Sequence, residues 1–143
     1  MLAWQVTETP TDADLATISN GVVHFGRTLA VGGNPRQLAC FVHEGETMVA
    51  GGSGRTEFSR LFVLYLWVQE NKRNAGLGAE VLTKLEEAAR DRDCRDSMIE
   101  TLNDRTASLY GRLGYQTIAM VPSYVGSFNR HIMLKSLSRH GKS

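Results

Sequence analysis

The densest apolar stretch of the chain is residues 61–68, the unbroken run Leu61-Phe62-Val63-Leu64-Tyr65-Leu66-Trp67-Val68. Such a run, bounded by polar residues, predicts a strand covered on both faces. Further on, Leu77, Val81, Leu82, Leu85, Ala88 and Ala89 recur at helical spacing opposite Glu80, Lys84, Glu86, Glu87 and Arg90. A long amphipathic helix lying on a sheet is expected there, with Glu80/Lys84 and Glu86/Arg90 as i,i+4 pairs on its wet side. The connection between strand and helix is basic at Lys72 and Arg73 and punctuated by Gly76 and Gly78, which let a ligand come close to the backbone.

The remaining pattern surrounds this unit with shorter elements. Residues 3–7 predict a short strand with Trp4 and Val6 on one face, ended by Pro10 and Thr11. Thr11, with Asp14 three residues on, starts a helix whose apolar face is Leu15, Ile18, Val22, Phe25 and Leu29. Asn20-Gly21 interrupts that face, and a break into two helices is expected in preference to a hairpin turn. Residues 31–35 form a turn-rich connection, and residues 37–43 a strand in which Leu38, Cys40 and Val42 share a face. A tight turn at 43–46 leads to a partner strand from Thr47 into Gly51-Gly52-Ser53-Gly54-Arg55-Thr56. That glycine cluster lacks the Gly-Lys-Ser/Thr ending of a phosphate loop, so it predicts a bulged strand or hairpin end.

Beyond the amphipathic helix, the charged residues 91–96 predict a solvated turn and residues 97–102 a short strand. Asn103 or Asp104 caps a second helix carrying Ala107, Leu109, Tyr110 and Leu113, which Gly114 stops. A strand over 115–121, a loop over 122–128 and a strand over 129–137 follow, the last with His131, Met133 and Lys135 opposite Ile132, Leu134 and Ser136. The order predicts one α+β domain over residues 1–143, an α/β three-layer arrangement with a mixed central sheet and helices on its faces.

Composition narrows the class. With 143 residues, 42% hydrophobic and 22% charged, the chain can bury a core of its own. Lys plus Arg (16) nearly balances Asp plus Glu (15), so no global basic field argues for nucleic acid or an anionic membrane. Cys40 and Cys94 are too few for a disulfide framework, and neither a signal-peptide pattern nor a membrane-length run occurs, which makes the cytoplasm the expected setting. His24, His43, His131 and His140 show no metal-ligand spacing, and no metal is expected.

The chemistry begins with the anion-attracting first turn expected after Gly76, where amides without intrahelical partners stand at the positive end of the helix dipole. A diphosphate-bearing cofactor suits it. Val68-x4-Arg73-x2-Gly76-x-Gly78 resembles the acyl-CoA pyrophosphate loop of the GNAT superfamily of N-acyltransferases, and Asn103-x6-Tyr110-x2-Leu113-Gly114-Tyr115 is similar to its second signature. The resemblance covers residues 37–137 well and the N-terminal third by element order. It implies a mostly antiparallel central sheet with helices on both faces, acetyl-CoA held by Leu66, Trp67, Val68, Arg73, Asn74, Ala75, Gly76, Leu77, Gly78, Asn103 and Tyr110, and a primary amine of a small molecule or peptide as acceptor. A homodimer formed through sheet edges or terminal strands is also in keeping with it.

The resemblance further implies a central strand splayed from its neighbour, whose backbone at 66–68 meets the pantetheine and the thioester carbonyl, where an N–H would stabilise the oxyanion. Tyr110 is the expected donor to the leaving sulfur. With reference pKa values of about 10 for Tyr and about 8.5 for a thiol, complete proton transfer is uphill by roughly 2 kcal/mol, so a hydrogen bond suffices as its role. Deprotonating a lysine-like amine at pH 7 requires about 4–5 kcal/mol, which calls for a base, a water relay or a desolvating pocket. No carboxylate lies between Ser59 and Gln69, where some members carry their base, and Glu100 is the best remaining candidate, ahead of Glu57. Asn74 stands where the family often has Gly, and Asn tolerates a left-handed backbone. For Lys72, cofactor contact and a solvated loop charge stay equally open. Acceptor choice is expected from the Asn20-Gly21 region, the Glu57-Phe58 turn and the 122–128 loop, where Tyr124 and Phe128 either shape a pocket or cover the sheet end. An acyl-CoA-binding module without catalysis is the alternative function; a nucleotide-binding regulatory domain is disfavoured by the absent phosphate-loop lysine.

Overall fold

The computed structural model describes residues 1–29 and 33–138, without the side chains of 27–29. They fall into two compact units, residues 1–33 and 34–143. The first holds one helix, α1 (Asp12–Leu29). Thr11 starts it as expected, its Oγ1 accepting from the Asp14 amide at 3.1 Å. The helix runs unbroken through Asn20-Gly21: a mid-helix glycine costs only about 1 kcal/mol, less than an interruption would. Residues 3–7 form no strand. Of the connection expected at 31–35, Val31 and Gly32 lie outside the described residues, as does His140.

The second unit contains the strands β1 (Arg36–Glu44), β2 (Thr47–Glu57), β3 (Arg60–Val68), β4 (Asp96–Thr101), β5 (Gln116–Val125) and β6 (Phe128–Ser136), with helices α2 (Leu77–Asp91) and α3 (Asp104–Arg112). The sheet order is β1-β2-β3-β4-β6-β5. Only β3 and β4 are parallel, so the mixed, mostly antiparallel sheet expected from the sequence is present. The hairpin β5–β6 replaces the loop expected at 122–128. Its edge strand admits Pro122 because that side needs no amide donor, and the register slips between Val121 and Val125.

The sheet divides at its centre. β3 pairs with β4 only through Arg60, Leu61 and Phe62. That end is clamped: Arg60 Nε donates to Asp96 Oδ1 at 2.7 Å, its second nitrogen to Oδ2 at 3.0 Å, and the Arg95 amide to the Ser59 carbonyl at 2.7 Å. Asp96 is therefore a strand residue in a two-pronged ion pair, where a solvated turn was expected. Past the clamp, Ser53 pairs with Tyr65 and Gly54 with Val63, leaving Leu64 as an extra residue. This β-bulge bends β3 away from β4 and reverses the facing of everything after it. Leu61 and Val63 point to the helix side, and beyond the bulge Leu66 and Val68 do so, while Tyr65 is 73% exposed. Strand 60–68 is thus covered on one face only within this unit, and the inserted residue decides that Tyr65 and Trp67, rather than Leu66 and Val68, face outward.

The glycine cluster of β2 is explained by the same bend. A Cβ on Gly54 would stand 1.9 Å from the Phe62 carbonyl oxygen, and one on Gly52 would meet Leu85, Leu66 and Val81 at 3.0–3.1 Å. Helix α2 packs directly onto that backbone through Val81, Leu82, Leu85 and Ala89. Glu86, expected on the wet side, is only 3% exposed. Its partners are Lys135 Nζ and the Tyr115 hydroxyl, both at 2.8 Å, rather than Arg90, which donates to the Leu137 carbonyl. Tyr115 lies 2.8 Å from Ser97 Oγ as well, so it can donate to the carboxylate and accept from the serine, and the burial of a charged group is compensated on several sides. Its phenol is pushed well up by burial. These contacts join α2, β4, β6 and the residue that leads into β5.

Gly54→Ala is expected to destabilise the protein by about 1–3 kcal/mol in urea unfolding, since backbone rather than a movable side chain blocks the new methyl group. An unchanged midpoint would show that the bulge adapts freely.

Candidate active site

The splay of β3 from β4 leaves a cleft, and the connection after β3 builds one wall of it. Gln69 donates its amide to the Val49 carbonyl at 2.8 Å, residues Glu70–Lys72 form one 3-10 turn, and Asn74 (φ 65°) and Gly76 (φ 84°) take left-handed conformations. Asn74 thus does what its residue type allows. Gly76 delivers the chain into α2, whose first residues, Leu77, Gly78 and Ala79, line the cleft and whose first amides lack intrahelical partners. Gly78 sits close to the strand: an added Cβ would be 3.5 Å from Val68 Cγ2. Arg73 folds back so that its Nε donates to the Val68 carbonyl at 2.9 Å, and Lys72 pairs with Glu44 at 2.8 Å.

The cleft has two lobes, both lined by Tyr110. One, about 580 Å³, is lined by Leu66, Trp67, Val68, the turn from Lys72 through Ala79 except Ala75, and the α3 residues Arg105, Thr106, Leu109, Arg112 and Leu113. Four of its lining residues, Lys72, Arg73, Arg105 and Arg112, are cationic, and none is acidic. In a chain of net charge +1 that is a strongly local excess, suited to a polyphosphate. Arg105 and Arg112 escaped the sequence reading; with Leu109 they recur at spacings of four and three, one face of α3. The other lobe, about 450 Å³, lies between Val63–Leu66 of β3 and Ile99–Leu102, with Thr106 and Arg130.

Tyr110 is buried, and burial raises its phenol above the ordinary value. Its ring lies 6.1 Å from that of Tyr115, tilted by 52°. Glu100 lines the second lobe and accepts from Arg130 Nε at 2.6 Å, while the Arg130 guanidinium also stands 5.0 Å over the Tyr124 ring. Asn103 lines neither lobe. Its Oδ1 caps α3, accepting from the Arg105 and Thr106 amides at 2.8 and 3.1 Å, so it fixes the helix that carries Tyr110. At the same end His131 Nε2 meets Asp104 Oδ1 at 2.6 Å, an interaction that lowers the Asp104 carboxyl. Glu57 pairs instead with Arg55. Among the described residues no group of His, Cys, Asp and Glu is arranged to hold a metal ion.

A groove with a helix start and four cationic side chains at one end and a buried tyrosine lining both its lobes suits an acyl-CoA-dependent transferase. Residues 9–115 match the family model for the Acetyltransferase (GNAT) family, and the chain belongs to that family. It is 34% identical over 91 residues to a blasticidin-S acetyltransferase of Streptomyces morookaense, covering 62% of this chain and 67% of that protein. It is 33% identical over 102 residues to an acetyltransferase of Agrobacterium fabrum, covering 71% of each. An acetyltransferase from Bacillus cereus shares the fold, with a TM-score of 0.85, 22% identity and coverage of 92% of this chain and 97% of that one.

The raised Tyr110 phenol is expected to keep its proton beyond pH 10. Difference absorbance titration of the wild type against Tyr110→Phe should lack a tyrosinate step at about pH 10. A step there belonging to Tyr110 would place the ring in water.

Proposed function

We propose that this acetyltransferase is an N-acetyltransferase that uses acetyl-CoA to modify a primary amine of a small molecule or peptide by direct transfer, without an acyl-enzyme stage. The observation that carries the proposal is the sharing of Leu66, Thr106 and Tyr110 by two cavities, one a cation-lined lobe and the other a neutral lobe. Acetyl-CoA, when bound, supplies an activated acyl carbon and a thiolate leaving group. The residues present fit it. Arg73, Arg105 and Arg112 and the amides of Leu77 and Gly78 would hold the diphosphate, with Asn74, Ala75 and Gly76 giving that turn its shape. The exposed edge of β3 at Leu66, Trp67 and Val68, left without a β4 partner by the bulge, offers backbone donors and acceptors to the amide-bearing arm.

Tyr110 would donate a hydrogen bond to the sulfur, and its raised pKa favours that role over full proton release. Glu100, the one carboxylate lining the neutral lobe, is the proposed acceptor of the amine's proton, directly or through water. Asn103 acts through the helix start. Thr106, at the junction of the lobes, adds a hydroxyl. The family match spans 9–115, which supports treating residues 1–143 as one acetyltransferase domain. No helix among the described residues is long and apolar enough to cross a membrane. The cytoplasmic setting is proposed from the sequence, and the free thiols Cys40 and Cys94 are compatible with it.

Acetyl-CoA is expected to raise Tm, Arg73→Glu to reduce that rise, and Tyr110→Phe to lower kcat about 10- to 100-fold in a thiol-release assay while the rise is kept. No Tm change at millimolar acetyl-CoA contradicts the cofactor assignment. A full Tm rise without turnover of any amine would favour the non-catalytic acyl-CoA-binding regulatory module.

A further inference from the structure

The neutral lobe holds a matched pair of opposite charges, and its geometry points to the kind of amine it takes. Among the described residues lining it, Glu100 and Arg130 are the only charged ones; Val63, Leu64, Leu66, Ile99 and Leu102 give it apolar walls. Arg130 is gripped from two sides, by Glu100 at 2.6 Å and by the Tyr124 ring at 5.0 Å, and both members of the ion pair keep about a third of their side-chain surface exposed, 33% each. The pair is reachable and yet held in place. It arises from register: Glu100 of β4 stands opposite Ile132 of β6, which sets Arg130 two residues along the same face, on the side where β6 turns back to β5 and Tyr124.

An ammonium entering this lobe finds one carboxylate among its lining residues, Glu100. If the ammonium takes Glu100, Arg130 loses its counter-charge in a partly desolvated place, which is unfavourable unless the incoming molecule replaces it. A molecule with its own carboxylate does so, because the planar guanidinium can accept that group in a two-pronged contact while Glu100 meets the amine. Acceptors with several ammonium groups find no further carboxylate here, and a plain monoamine leaves Arg130 unpaired. We propose that the acceptor is a small amine bearing a carboxylate close to the amine, of the amino-acid kind, seated between Glu100 and Arg130, and that Arg130 is the residue that selects it. This rests on the N-acetyltransferase reading above and adds the substrate class.

The test measures kcat/KM by thiol release for amino acids such as alanine, β-alanine and phenylalanine, for their carboxamides and for spermidine, at equal concentrations of free amine. Wild type is expected to prefer the best free acid over its amide by tenfold or more. Arg130→Gln should bring that ratio to within about twofold, and Arg130→Lys should keep part of it, with the KM for acetyl-CoA unchanged in both. Amides turned over as well as acids, or spermidine preferred, overturns the assignment while leaving the N-acetyltransferase reading intact. Absence of turnover with every acid, alongside an acetyl-CoA-induced rise in Tm, also overturns it. Absence of the Tm rise defeats the underlying reading instead. If Arg130→Gln does not fold, the wild-type ratio of acid to amide decides.

Discussion

The site depends on one inserted residue. Leu64 has no partner on β2, and the bulge it makes lies just past the Arg60–Asp96 clamp. The clamp forces β3 and β4 together at one end, and the bulge parts them at the other. A parallel sheet that ran on would satisfy the backbone of Leu66, Trp67 and Val68 internally; the parted strands leave one side of β3 open. Gly54 is the matching half of the device, since a side chain there would collide with the Phe62 carbonyl. What looks like a phosphate-loop glycine cluster is the hinge of the sheet.

From that opening the rest of the chemistry is placed by ordinary helix physics. The chain leaves β3 through a turn with two left-handed residues and enters α2 at Gly76, so the helix's positive end stands at the cleft. Asn103 starts α3 with a double cap, and about two turns later Tyr110 lies at the junction of the two lobes, packed beside Tyr115. Beneath it, Glu86, Lys135, Ser97 and Tyr115 form a buried polar cluster whose members satisfy one another. Glu86 is the hub of the cluster, since its loss would take a partner from both Lys135 and Tyr115.

Much of the fold was legible in the sequence where local pattern and tertiary context agree. The α2 stripe, the Leu38/Cys40/Val42 alternation, the Thr11 and Asn103 caps and the Gly114 stop all depend on nearest neighbours. The loop motif Arg73, Gly76, Gly78 and the helix Tyr110 fell on opposite sides of one cleft. What was not legible depends on distant partners. Glu86 is buried because Tyr115 and Lys135 come from elsewhere in the chain, and Asp96 is ordered because Arg60 lies across the strand pair. The outward turn of Tyr65 and Trp67 follows from a register slip that an apolar run does not reveal. Arg130 gave no signal at all, since its meaning comes from Glu100 and Tyr124.

The central claim is that the open side of β3 and the first turn of α2 form one surface for the acyl donor. Amide chemical shifts followed while coenzyme A is added test it most directly. The account predicts the largest changes at Leu66, Trp67, Val68, Gly76, Leu77 and Gly78, with Arg105 and Tyr110 following, and small changes along β1. Saturable binding that leaves the amides of β3 and of the α2 start unmoved would contradict it.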